Sequence, residues 1–197
     1  MLPLGKIKTP TQAQEWLRSL AYNKADTMYG LVGVVKQKKA HCLEGVLSVA
    51  ALLEPHGYPP LILDLESKDN LDHTLFLYNE NGKFGTVAMS RDIGLDGRKP
   101  VFKTIRALVQ SYVIPYIDAK AEITGYGVLD LRTLEDQSWR RLSKQLWYIE
   151  DALLEMEHTS LTTKKSIVKK WREKYLAYKK SFPDLQPDYF PHQETWL

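Results

Sequence analysis

The sequence predicts an α+β fold, because helical and strand-like patterns follow one another along its 197 residues. Apolar residues recur at steps of three and four over residues 42–54, which is typical of a helix buried along one side. Two apolar runs, 61–65 and 73–78, then read as strands. The dipeptide Asn81-Gly82 follows and indicates a tight hairpin, because both residues tolerate positive φ, with 84–88 as the return strand.

The segments before residue 42 are less regular. Thr9, Pro10 and Thr11 can cap a short helix over residues 12–20, with Trp16 and Leu20 on one apolar face. Residues 30–35 are small and apolar, and periodicity does not distinguish a short strand from a packed loop there.

The second half of the chain predicts three further helices. The first has Val101, Ile105, Leu108 and Tyr112 on one face, and Pro115 ends or kinks it. The second is a long helix with apolar steps at Trp139, Leu142, Leu146, Ile149, Leu153 and Met156, and the third spans about 163–182. We therefore expect a core over residues 1–130 and a helical C-terminal extension over residues 131–197, packed on the same domain.

Composition excludes several classes of protein. A hydrophobic fraction of 44% and a charged fraction of 26% are ordinary for a folded domain, and a net charge of +3 does not require nucleic acid as the partner. The longest apolar stretch, residues 45–53, is far shorter than the roughly 20 residues that span a bilayer. With no signal-peptide pattern at the N-terminus, these features predict a cytoplasmic protein.

The single cysteine, Cys42, is either a core filler or a nucleophile. It stands in the first turn of the predicted helix, where the helix dipole and free amide donors stabilise a thiolate. His73 begins a predicted strand and can take the thiol proton. The neighbouring His41 points about 100° away on a helix and is expected to be a cap or a surface residue rather than a competing base.

The motifs around these two residues resemble the transglutaminase-like superfamily. Its cysteine helix and following strand are similar to HCLEG at 41–45, AALL at 50–53 and HGYPPLI at 56–62, and its histidine strand and hairpin to DHTLFLY at 72–78 and GKF at 82–84. The resemblance covers about a quarter of the chain and implies a papain-like core: a small antiparallel sheet packed on the cysteine helix, with C-terminal helices added.

The resemblance also implies an activity, with Cys42 as nucleophile and His73 as base acting on an amide or acyl group of a protein or peptide. Peptidase, amidase, deamidase and acyltransferase outcomes all fit, without a cofactor or metal. The superfamily's aspartate has no counterpart at Ala88, so Asp92, or more weakly Ser90, would have to orient His73. The alternative is a non-catalytic transglutaminase-like binding module for a protein or polyanion.

Two charged clusters have simpler explanations than ligand binding. Asp64, Glu66, Asp69, Asp72 and His73 match no metal-binding loop, and we expect a solvated acidic rim. The basic face of residues 164–180 could contact nucleic acid or an anionic membrane, but the same row is typical of a solvated helix.

Overall fold

An antiparallel sheet of six strands forms the centre of the structure, a computed structural model that describes residues 4–141 and 145–197. Two short strands, β1 (Ala21–Tyr22) and β2 (Lys39–Ala40), pair in parallel outside it. The six strands in chain order are β3 (Leu61–Ser67), β4 (His73–Glu80), β5 (Lys83–Val87), β6 (Arg98–Phe102), β7 (Ile123–Asp130) and β8 (Thr159–Ser160). Their spatial order is β6-β5-β4-β3-β7-β8, so the predicted β3 and β4 lie at the middle of the sheet.

Six α-helices surround the sheet in the described part of the chain: α1 (Pro10–Arg18), α2 (Leu31–Gln37), α3 (Cys42–Leu53), α4 (Ile105–Tyr116), α5 (Trp147–Glu155) and α6 (Lys165–Ser181). The mixed α and β content predicted from periodicity is confirmed. The hairpin prediction is also confirmed, since Asn81 and Gly82 have φ of 53° and 74° between β4 and β5.

The sheet is buried on both faces, and neighbouring residues of a strand enter different cores. Ile62 and Phe76 pack against α1 and α3 in one cluster. Leu63 and Leu75 pack against α4 in the other. This follows from the two-residue period of a strand, and it explains why 61–65 is an almost continuous apolar run.

The helix that carries the cysteine is nearly surrounded by protein. Nine of the twelve residues of α3 are buried, including all the predicted apolar positions. Its first residue, Cys42, is half-buried and lies on the wall of a cavity.

Two local predictions differ from the structure. Residues 31–37 form α2 rather than a strand or loop, and Lys38 ends it in a left-handed conformation with φ 54°. Val101 belongs to β6, and α4 begins only at Ile105, where the Thr104 hydroxyl accepts a hydrogen bond from the Ala107 amide. Strand pairing therefore overrides the helical spacing at Val101.

The long helix predicted from residue 139 is wrong in extent. Trp139 lies in a separate short 3-10 helix (Ser138–Arg140), and α5 begins at Trp147. Leu142 lies outside the described residues. The side chains of Trp139, Ile149 and Leu153 are all buried in one cluster, but Trp139 reaches it from the short 3-10 helix and the other two from α5.

The residues after 131 contribute to the same sheet and core. β8 pairs with β7, and α5 adds Ile149 and Leu153 to the cluster around α3. The last helix, α6, agrees closely with its predicted span, and Trp171 and Tyr178 pack on Tyr189 of the following segment. Among the described residues, no helix combines the length and apolarity needed to cross a membrane.

Candidate active site at the start of the cysteine helix

The first turn of α3 is fixed by a buried carboxylate. Glu44 is fully buried, and its side chain accepts hydrogen bonds from Asn23 Nδ2 at 2.9 Å and Thr27 Oγ1 at 2.7 Å. It also accepts from the backbone amides of Tyr29 at 2.9 Å and His41 at 3.1 Å. A carboxylate with four donors is well satisfied, so the strap of residues 23–29 is tied to the beginning of the helix.

His41 is the N-cap residue of α3, as expected, but its side chain also enters the site. Its backbone is extended, with φ −90° and ψ −177°, so the 100° angular separation within a helix does not apply to it. The Nε2–H donates to the carbonyl oxygen of Thr27 at 2.7 Å. The imidazole also interacts with the thiol of Cys42, and this interaction raises the pKa of the ring. The expectation of a residue aimed away from the sulfur is therefore wrong.

His73 approaches the same sulfur from the first position of β4. It is buried, with 6% of its surface exposed, and its imidazole is hydrogen-bonded to Cys42. Its Nε2–H donates to the carbonyl oxygen of Leu95 at 2.9 Å. The helix, turn and strand between residues 42 and 73 thus bring the predicted nucleophile and base together.

Asp92 and Ser90 lie on the wall of the same cavity but do not hold the His73 ring. In the described part of the chain, the Asp92 carboxylate accepts from the side chains of Arg91 at 3.3 Å and Gln186 at 3.0 Å. The Ser90 hydroxyl accepts from the Asp92 amide at 3.0 Å. The orienting position next to His73 is filled by the Leu95 backbone carbonyl instead.

A buried arginine holds the loop that presents this carbonyl. Arg98 is fully buried, and its guanidinium donates to the carbonyl oxygens of Gly94 at 2.5 Å and Asp96 at 2.9 Å. The guanidinium carbon lies 4.0 Å from the centre of the Tyr112 ring. Contacts on both sides of Leu95 therefore limit how far its carbonyl can move.

The electrostatics of the site favour an ionised sulfur. Burial opposes ionisation of Cys42, but the hydrogen bonds from His41 and His73 and their positive charge outweigh it, so the thiol pKa lies well below its ordinary value. Burial likewise disfavours the charged imidazoles, and the contact with Cys42 reverses this. The pKa of His41 is raised to about 9 and the pKa of His73 is also raised. These shifts favour a thiolate paired with the imidazolium groups of His41 and His73, and the three groups titrate together.

A cavity of about 420 Å³ opens beside this triad of side chains. Its floor includes Cys42, His73 and Thr74, and its rim carries Leu71 and Leu154, which are 63% and 72% exposed. A volume of this size accommodates a side chain or a small peptide segment.

A second histidine–carboxylate pair lies next to the cavity. Asp64, on β3, accepts a hydrogen bond at 2.9 Å from Nε2 of His158, and only 3% of Asp64 is exposed. Burial is the main reason that the pKa of Asp64 is raised to about 6, and the hydrogen bond from His158 acts against it. The neighbouring carboxylates do not form a metal site: the described residues contain no group of three or more histidine, cysteine or acidic side chains suited to one.

Sequence reasoning missed His41, Leu95 and His158 for different reasons. The position of His41 immediately before a helical cysteine is a usable signal, because an N-cap side chain folds over the first turn. A backbone carbonyl such as that of Leu95 leaves no trace in residue type. His158 lies 94 residues from its partner, so only the tertiary structure joins them.

No protein-family model and no curated protein matches this chain.

Proposed function

We propose that the protein is a cysteine-nucleophile enzyme of the transglutaminase-like type, acting on an amide or related acyl group of a protein or peptide. The single observation that carries this proposal is the contact of one half-buried thiol with two imidazoles at a helix N-terminus. A cysteine that only filled the core would gain nothing from two histidines that shift its ionisation.

The chemistry follows from the protonation states. The Cys42 thiolate attacks the acyl carbon and forms a carbon–sulfur bond, while the carbonyl π electrons move to oxygen. When the tetrahedral intermediate collapses, the amine leaves with a proton from the His73 imidazolium, and a thioester remains on Cys42. Neutral His73 then accepts a proton from water or from an acceptor amine as this nucleophile attacks the thioester, and the sulfur is released.

The first turn of α3 supplies donors for the oxyanion. The first amides of a helix have no intrahelical acceptor, and they carry the positive end of the helix dipole. At Cys42 and Leu43 they lie at the base of the nucleophile, where the negative oxygen of the intermediate develops.

The carbonyl of Leu95 can replace the usual carboxylate in one respect. It accepts the Nε2–H of His73 and so leaves Nδ1 as the ring nitrogen for proton exchange with the sulfur in this mechanism. It supplies no full negative charge, so the imidazolium is stabilised chiefly by the thiolate itself. This favours an ion pair that exists before substrate binds.

Acylation of Cys42 by an activated ester tests the proposal. Mixing the protein with p-nitrophenyl acetate at neutral pH should release one equivalent of p-nitrophenolate in a burst and add one acetyl group to Cys42, as seen by peptide mass spectrometry. Cys42→Ala should abolish both signals, and His73→Ala should slow the burst by about 10²–10⁴-fold. A wild-type thiol that is not acylated would instead support the non-catalytic binding module.

A further inference from the structure

A segment that follows α6 forms part of the cavity wall. Residues 186–197 run mostly without regular secondary structure, apart from the 3-10 helix Gln193–Thr195. Gln186, Pro187 and Phe190 line the same cavity as the nucleophile, and Phe190 is buried, with 7% of its surface exposed. With so little secondary structure, the segment is held in place by its contacts with other parts of the protein.

The 186–197 segment contacts both ends of the loop that presents the orienting carbonyl. The side-chain amide of Gln186 donates a hydrogen bond to Oδ1 of Asp92 at 3.0 Å. At the other end of the loop, the backbone amide of Leu197 donates to the carbonyl oxygen of Gly97 at 3.0 Å. The carbonyl that accepts from the catalytic imidazole lies between these two contacts along the chain.

Between the two hydrogen bonds, the ring of Phe190 packs directly on Gly94. A Cβ added at Gly94 would lie 3.1 Å from Cδ2 of Phe190 and 2.9 Å from Cβ of Pro115, so no side chain fits between the ring and the loop backbone. Gly94 also has φ 89°, a conformation that favours glycine. Since Gly94 immediately precedes Leu95, loss of the ring contact would free the carbonyl that accepts the hydrogen bond from His73.

A backbone carbonyl depends on its loop more strongly than a side-chain carboxylate would. Its direction is fixed by the planar peptide unit, so a change of φ and ψ in the loop turns it away, and a hydrogen bond weakens steeply as its angle worsens. Arg98 bonds the carbonyls on both sides of Leu95 from the interior, and Phe190 covers the same loop from the cavity side. The orientation of His73 therefore depends on support from both directions.

We infer that the 186–197 segment is a positioning element of the active site. Phe190 holds the Leu95 loop, and the carbonyl of this loop holds the imidazole of His73 against the sulfur. The inference rests on the proposed function and deepens it, because it requires that the paired thiolate and imidazolium perform the chemistry. Phe190 is a positioning residue in this scheme, and the reactivity of Cys42 depends on whether the segment is docked.

The pH dependence of iodoacetamide alkylation of Cys42 tests the inference in the intact chain. Phe190→Ala should raise the midpoint pH by about half a unit to one unit, which is less than the effect of removing His73, because the imidazole is misoriented rather than lost. Phe190→Leu refills part of the space with an apolar side chain and should recover about half of that shift. Phe182→Ala removes the same side chain where it is 49% exposed and does not line the cavity, and it should leave the midpoint unchanged.

A second comparison separates positioning from a general loss of structure. If Phe190 acts through His73, then adding Phe190→Ala to His73→Ala should produce no further rise of the midpoint. A purely structural effect would add the same shift in both backgrounds. Thermal unfolding shows which variants are folded, and Phe190→Leu in the two backgrounds gives the same comparison where Phe190→Ala does not fold.

The outcomes separate this inference from the proposed function. A depressed wild-type midpoint that neither Phe190 variant moves would overturn the inference and leave the activated nucleophile intact. Equal shifts with and without His73, or an equal shift in Phe182→Ala, would also overturn it. A wild-type midpoint near about 8.5 would contradict the activated nucleophile, and the inference with it.

Discussion

Replacing His73 by alanine removes one of the two imidazoles that stabilise the Cys42 thiolate. A hydrogen bond to a charged group contributes about 1.5–3 kcal/mol, and one pKa unit corresponds to about 1.4 kcal/mol. The thiol pKa should therefore rise by about one to two units in His73→Ala. It should remain depressed in part, because His41 keeps its own hydrogen bond to the sulfur.

The rate of iodoacetamide alkylation as a function of pH measures this shift directly, since the thiolate is the reacting species. Wild-type protein should show a midpoint well below about 8.5, and His41→Ala should move it upward by an amount similar to His73→Ala. The double variant should reach or exceed the ordinary value, because burial then acts unopposed. His56→Ala, which changes an exposed histidine, is the control. An unchanged midpoint in His73→Ala would refute the thiolate–imidazolium pairing.

Three further changes have defined outcomes. Arg98→Met should raise the midpoint pH of Cys42 alkylation and lower the free energy of unfolding by about 1–3 kcal/mol, because the carbonyls beside Leu95 lose their donor. An unchanged alkylation profile would show that the loop does not position His73. The pKa of Asp64 is about 6 in the folded state, against about 3.9 in the unfolded chain, so the folded state binds more protons between these two pH values. The contribution of Asp64 to the free energy of unfolding therefore falls as pH rises, by at most about 3 kcal/mol. Asp64→Asn should flatten that slope in urea titrations from pH 4 to 7, and an identical slope would contradict the assignment. Gly45→Ala should lower the free energy of unfolding, measured by denaturant titration, by about 1–3 kcal/mol, because the new Cβ would lie 2.9 Å from Cβ of Met89. A gain in stability would show that α3 can shift.

The parts of the fold that sequence could predict are those governed by local rules. The helix from Cys42, the strand beginning at His73 and the Asn81-Gly82 hairpin each depend on periodicity or on φ preference over a few residues, and all three are present. The helical spacing at Trp139 failed because apolar residues at steps of three and four also arise from separate segments that enter one core. The spacing at Val101 failed because this residue belongs to β6, where its side chain is exposed.

Sequence could predict the cysteine and one histidine of the candidate site, but it could not predict the groups that hold them. Cys42 and His73 are named by residue type and spacing, whereas the group that orients His73 is a backbone carbonyl, which any residue at position 95 would supply. The prediction for His41 is wrong because helical geometry does not hold for a residue that precedes the helix. The role of Asp92 as a third member of the site stays without structural support, since its carboxylate is engaged by Arg91 and Gln186.

The anchoring of Glu44 by the strap of residues 23–29 sets a practical limit on shortening this protein. Residues 41–90 contain both Cys42 and His73, yet groups that hold this region come from upstream. Asn23 and Thr27 donate hydrogen bonds to Glu44 at the start of the helix. The side-chain amide of Gln14 makes hydrogen bonds with the backbone N–H and C=O of Ala88. A chain that began at residue 30 would keep every strand of the large sheet. It would leave the Glu44 carboxylate buried without three of its four donors, and reactivity at Cys42 should disappear before the sheet unfolds.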